Sequence, residues 1–152
     1  MRTILRLAAT AAASLILAMM TGCAGPAPNY APSIDNVEVL KKSGISAPKA
    51  GTIAVTQGLK TAAAIQLRAN SMVSGVGANY GDYIAAALRQ ELELAKLFNA
   101  QSDTEISGTL LQNDINAGGF STNDGFIEVR FVVKRGAEVR FEIGRASCRE
   151  RV

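Results

Sequence analysis

Residues 80–98 carry the strongest constraint on the fold: an apolar stripe through Ile84, Ala87, Leu88, Leu92, Ala95 and Phe98, recurring at three- and four-residue steps. Tyr83, Leu94 and Leu97 widen it. That period predicts an amphipathic helix over 80–98. Asn79 stands where a cap belongs, Asp82 falls in a first turn that favours negative charge, and Lys96 lies near the opposite end. Only Glu91 interrupts the stripe, and it is expected at the border. A helix with one apolar side must bury that side against something, and the downstream sequence supplies a sheet.

Residues 104–111 alternate, with Ile106, Gly108 and Leu110 on one face and Glu105, Ser107 and Thr109 on the other. Residues 125–134 alternate more cleanly, placing Ile127, Val129, Phe131 and Val133 inward and Glu128, Arg130 and Lys134 outward. Lys134-Arg135-Gly136-Ala137 reads as a tight hairpin, because Gly136 can take positive φ. A partner strand then starts over 138–141, with Val139 and Phe141 on one side. Between the first two strands, residues 112–124 hold Gly118-Gly119 and a polar Ser121–Asp124 stretch, read as a loop.

Upstream, residues 36–40 are a candidate strand through Val37 and Val39, and residues 41–51 read as a loop. Residues 52–55 form a second short strand candidate, while 62–69 fit helix and strand alike. Residues 71–79, with Gly75 and Gly77, are expected to be a loop. The resulting fold class is α+β: one amphipathic helix packed on an antiparallel β-meander, in a single small domain over 34–141.

The chain opens with Arg2 and Arg6, then an unbroken apolar and small-residue run over 7–20. As a helix that run would reach ~20 Å, short of the ~30 Å hydrocarbon core, so an export leader is the better reading than a membrane span. The run closes on Met20-Thr21-Gly22-Cys23. This resembles the lipobox of bacterial lipoproteins, with Met20 in place of the usual leucine and Thr21 and Gly22 as the small residues a signal peptidase accepts. The resemblance implies cleavage after residue 22 and a diacylglycerol plus an N-acyl chain on Cys23. No other cofactor is implied. Two or more acyl chains give lasting membrane residence. By the sorting rule of that class, Ala24 implies the outer membrane, on its periplasmic side. Residues 23–33, with three prolines and no periodicity, read as a lipidated, semi-extended tether.

The other end looks foreign. Residues 143–152 resemble a translated sequencing adapter, with Glu142 at the junction, and the strand pattern of 138–141 gives way there to a basic, aperiodic run. The natural reading frame is therefore expected to be truncated, its next strand and a closing helix lost. The formal charge of +3 comes from 16 basic and 13 acidic residues. Setting aside Arg2 and Arg6 of the leader, and Arg145, Arg149, Arg151, Glu142 and Glu150 of the tail, leaves 11 of each sign. A neutral body gives no reason to expect a nucleic-acid partner. Setting aside Cys148 leaves Cys23 as the sole native cysteine, so no internal disulfide is expected.

Residues 83–92, Ile106-Ser107-Gly108 and residues 131–136 resemble the helix, strand and hairpin of small proteobacterial outer-membrane lipoproteins of unassigned function. By element order the chain is also similar to envelope accessory lipoproteins, namely the lipopolysaccharide-assembly lipoprotein and the auxiliary lipoproteins of lipid-transporting ABC systems. Neither resemblance implies catalytic residues.

The residues themselves offer little chemistry. Without histidine, this chain has no Ser-His-Asp or Cys-His nucleophile and none of the common zinc sets. Gly75-Val76-Gly77 lacks the Lys-Ser/Thr of a phosphate loop. Glu91 and Glu93, two apart on a helix, do not face each other, and Glu93 reads as solvated. Asp114, Asn116, Asn123 and Asp124 lack calcium-loop spacing, and ordinary turn chemistry is the expectation. The chain is thus expected to be a non-enzymatic accessory module, anchored to a membrane by lipid and docking on an envelope protein. A lipid- or glycan-binding module is the alternative. An enzyme with its catalytic residues in a missing carboxy-terminal part is the third reading.

Overall fold

The computed structural model describes residues 24–68, 70–116 and 124–151, with the backbone alone for 144–151. The leader, Met20 to Cys23, Gly118-Gly119 and Ser121 to Asn123 lie outside the described residues. The elements run β1 (Ala24–Pro26), α1 (Ile34–Lys42), β2 (Lys49–Val55), β3 (Ala64–Gln66), β4 (Ser71–Val73), α2 (Tyr80–Leu94), β5 (Thr104–Asn116), β6 (Asp124–Arg135) and β7 (Glu138–Arg151). They form two sheets, a four-stranded one ordered β2-β5-β6-β7 and a three-stranded one ordered β1-β4-β3. The fold is α+β.

The expected meander is present as β5, β6 and β7, each antiparallel to the next. The hairpin turns at Gly136, whose φ is +60, and its N–H donates to the Asp103 carbonyl at 2.9 Å. However, β2 joins the other side of β5 in parallel, so the sheet is mixed and not purely antiparallel. Parallel neighbours need a crossover, and α2 lies in it, packing chiefly on β2 with a smaller contact to β5. The helix begins where Asn79 Oδ1 accepts from the N–H groups of Gly81 (2.8 Å) and Asp82 (3.2 Å). Its first turn sits so close to β2 that a Cβ on Gly81 would lie 2.2 Å from the Ile53 carbonyl oxygen. The core gathers where helix and sheet meet: Leu92 and Leu110 are fully buried, with Ile53, Ile65, Tyr80 and Val129 nearly so.

Several expectations from the sequence are overturned. Residues 36–40 belong to helix α1 and not to a strand: Ser33 caps it, Asp35 opens it and Lys41 and Lys42 close it, all of which favour a helix over two alternating valines. The expected loop over 41–51 therefore loses its first residues to α1 and its last to β2. Within 71–79, expected to be a loop, Ser71–Val73 is strand β4, whereas over 62–69, where helix and strand fit alike, Ala64–Gln66 is strand β3.

Helix α2 stops at Leu94, not at residue 98. Lys96 takes a left-handed φ of 59°, its N–H donates to the Glu93 carbonyl at 3.0 Å, and that of Leu97 donates to the Leu92 carbonyl at 2.8 Å. Those two bonds make a Schellman cap, which folds Leu97 and Phe98 back along the helix and so prolongs its apolar pattern without prolonging the helix.

On the sheet, Glu128 is only 9% exposed, although strand parity predicts an outward-facing side chain. It is paired on both sides, with Gln112 on β5 and residue 147 on β7. Val139 and Phe141 do not share a face: the register shifts between Val133 and Lys134, so these two oppose Lys134 and Val133, successive residues of β6. Strand β7 itself continues through 143–151, pairing its backbone along β6 where the sequence pattern reads as an aperiodic tail.

Candidate functional site

The segment after residue 23 is extended, as its prolines require, but it is docked against the domain and does not hang free. Ala24 to Pro26 pair in parallel with Ser71 to Val73, the Ala27 N–H donates to the Val73 carbonyl at 2.7 Å, and Ala27 is buried. Farther on, the Tyr83 hydroxyl donates to the Pro28 carbonyl at 2.9 Å.

The segment is then locked by Glu91. This residue lies in the buried face of α2, only 6% exposed, and not at the border of the stripe. Its Oε1 accepts from the Tyr30 hydroxyl in a short hydrogen bond, from the Ser33 N–H at 3.1 Å and from Asn36 Nδ2 at 3.4 Å. Burial first, then the hydrogen bond and charge of Glu91, push the Tyr30 hydroxyl up to about 12. Glu91 thus ties the start of α1 to the middle of α2. By contrast Glu93 pairs with Arg89 at 2.7 Å on the solvated face, and the Arg89 guanidinium stacks 4.7 Å over Phe98.

The docked segment forms one wall of a groove of about 280 Å³. Ala27 and Pro28 make that wall, with Ile65 of β3 and Met72 of β4 beside them. Tyr80, Tyr83 and Ile84 of α2 form the second wall, and residues 113–115 of β5 with residues 125–127 of β6 form the third. The two tyrosine rings meet edge to face, 6.2 Å apart. Their donors are spent on main-chain carbonyls, Tyr80 on Met72 at 2.9 Å and Tyr83 on Pro28. Burial also raises the Tyr80 hydroxyl above its ordinary pKa, with a further contribution from Tyr83.

One polar group in the groove is left over. Asn113 is 6% exposed, and its Nδ2 is buried with no hydrogen-bond partner among the described residues. A bulge puts it there. Leu110 pairs with Val129 and Gln112 with Glu128, so Leu111 is an extra residue in β5. The insertion reverses the alternation beyond it and turns Asn113 and Ile115 to the side where Ile106, Gly108 and Leu110 point. The adjacent apolar pair Leu110-Leu111, which breaks strict alternation, is the signal that sequence reading passed over.

The remaining sequence-derived candidates fall elsewhere. Ala24 lies in β1, and Met20, Thr21, Gly22 and Cys23 are not described. Asp114 Oδ1 accepts from the Ile115 N–H at 2.8 Å, and Asn116 and Asp124 face each other as a strand pair. Among the described residues, no group of three or more His, Cys, Asp or Glu side chains is placed to hold a metal. No described helix is long and apolar enough to cross a membrane.

No family model and no curated protein matches this chain. Among solved structures, it is similar to the crystal structure of protein XCC0632 from Xanthomonas campestris, family-model DUF330. The match has a TM-score of 0.46 at 10% identity and covers 85% of this chain and 75% of that chain.

Proposed function

We propose that this chain is an accessory lipoprotein of the bacterial envelope, acylated at Cys23, whose domain works by binding and not by catalysis. The anchor part of the reading is supported by the basic start, the short apolar run and Met20-Thr21-Gly22-Cys23, with Ala24 favouring the outer membrane. The binding part is carried by one observation, the apolar groove between α2, the small sheet and the far ends of β5 and β6. A concave, apolar site with a single convergent polar group is the usual form of a small-ligand site. That favours a ligand-binding module over one that only docks on a protein partner.

Intact mass analysis of the full chain recovered from its membrane tests the anchor. The expected species starts at Cys23 and carries a diacylglycerol and an N-acyl chain, and Cys23→Ser abolishes incorporation of an alkyne-tagged palmitate. A free thiol at Cys23, a retained leader, or labelling that persists in Cys23→Ser defeats the assignment.

A further inference from the structure

We propose that the groove holds one acyl chain as a neutral ester, a monoacylglycerol-type ligand, with the ester carbonyl accepting from the Asn113 amide; this rests on the ligand-binding reading above. The volume sets the number of chains. About 280 Å³ lies at the lower edge of the ~300–1,000 Å³ typical of small-molecule sites, which suits a single chain and not the paired chains of a diacyl lipid. The walls set its character, because Ile65, Met72, Ile84, Phe126 and Ile127 offer no hydrogen bond. A glycan would bring many hydroxyls to a surface whose tyrosine donors are already spent.

Asn113 sets the end of the chain. A buried amide nitrogen without an acceptor is a standing cost, and a ligand carbonyl relieves it once the side chain turns the amide toward the groove. The lining sets the charge of the head, because no Lys or Arg stands among the described residues of the groove. A free fatty acid would bury an unpaired carboxylate there, which is costly. A glycerol ester brings no charge.

The test uses the full chain in lipid nanodiscs and a monolaurin carrying a diazirine in its chain. After irradiation, crosslinks are mapped by peptide mass spectrometry. Crosslinks are expected on the peptides holding Met72, Ile84 and Phe126 well above those on exposed α1. Asn113→Leu is expected to weaken groove labelling about tenfold at subsaturating probe, with circular dichroism confirming the fold. Unlabelled monolaurin should compete about tenfold better than laurate. Groove labelling no stronger than that on α1 overturns both this proposal and the ligand-binding reading. Groove labelling that ignores Asn113→Leu, or laurate competing as well as monolaurin against the unaltered chain, overturns the ester assignment and leaves the ligand-binding reading standing.

Discussion

Glu91 and Asn113 are equally buried polar side chains on the two elements that flank the core, and the protein treats them in opposite ways. Glu91 concentrates three donors on its Oε1, all from the chain between residues 30 and 36, and so fastens the amino-terminal segment to α2, although its Oε2 is buried with no hydrogen-bond partner among the described residues. Asn113 spends its amide nitrogen on nothing among the described residues, and it faces a groove large enough to admit a ligand. A buried polar group that gathers donors from a distant segment holds a structure together. One whose donor is left unpaired beside a cavity costs stability and is open to an acceptor from outside the fold. The contrast separates the clasp from the site, and substitution at each end tests it.

The largest effect is expected at the clasp. Glu91→Ala leaves the Tyr30 hydroxyl, the Ser33 N–H and the Asn36 amide without their acceptor, a loss of about 2–3 kcal/mol. Thermal melting followed by circular dichroism should fall by roughly 5–10 °C, and limited proteolysis should cut first between residues 28 and 45. Glu91→Gln keeps an acceptor oxygen and should lose about half as much. An unchanged melting temperature in Glu91→Ala would show that the segment is held by β1 alone.

Tyr30→Phe removes one donor of the three and is expected to cost about 1 kcal/mol. It also isolates a pH effect. The Tyr30 hydroxyl is raised in the folded chain from 10.0 to about 12, so the folded state holds its proton more tightly than the unfolded state. The stability this contributes is therefore complete below pH ~10 and is lost as pH rises from ~10 through ~12. Alkaline unfolding should be steeper in the unaltered protein than in Tyr30→Phe, and the 295 nm absorbance of Tyr30 should titrate above the ordinary tyrosine range. A tyrosine titration identical in the folded and the denatured protein would exclude the buried bond.

The two regions also differ in how far the sequence discloses them. Strand β6 was legible because Ile127, Val129, Phe131 and Val133 alternate without interruption, and the Gly136 turn followed from turn chemistry. Helix α2 was legible from its stripe, though its last turn was overdrawn because Leu97 and Phe98 fold back past Lys96 in an apolar pattern a helix would also show. Helix α1 was misread, since five residues with valines at 37 and 39 fit period two, and the helix buries no residue that would reveal its own period. The caps at Ser33 and Lys41-Lys42 were the better signal there. The clasp itself was out of reach: Tyr30 and Glu91 are 61 residues apart, and nothing local marks an acidic residue in an apolar stripe as a hub for a distant segment. The site was half legible. Tyr83, Ile84 and Ile127 of its walls lie in the apolar stripes of helix and strand, but Ala27 and Pro28 read as tether and Met72 as loop, and the position of Asn113 depends on a one-residue bulge that breaks the strand period.

The smallest effect on stability is expected at Asn113, and its sign is what matters. Asn113→Leu removes a buried amide with an unpartnered nitrogen and puts an apolar side chain of similar size beside Ile115 and Ile127, which pack against the core cluster. Losing an unsatisfied group and gaining apolar burial should leave the melting temperature unchanged or raise it by the equivalent of ~0.5–1 kcal/mol. If the amide serves the proposed acyl ester and not the fold, this change spares folding and weakens acyl-ester capture. A loss of more than about 1 kcal/mol in Asn113→Leu would mean that the amide is satisfied from within after all. Asn113 would then be a second clasp like Glu91, and the distinction between the two ends of the molecule would vanish.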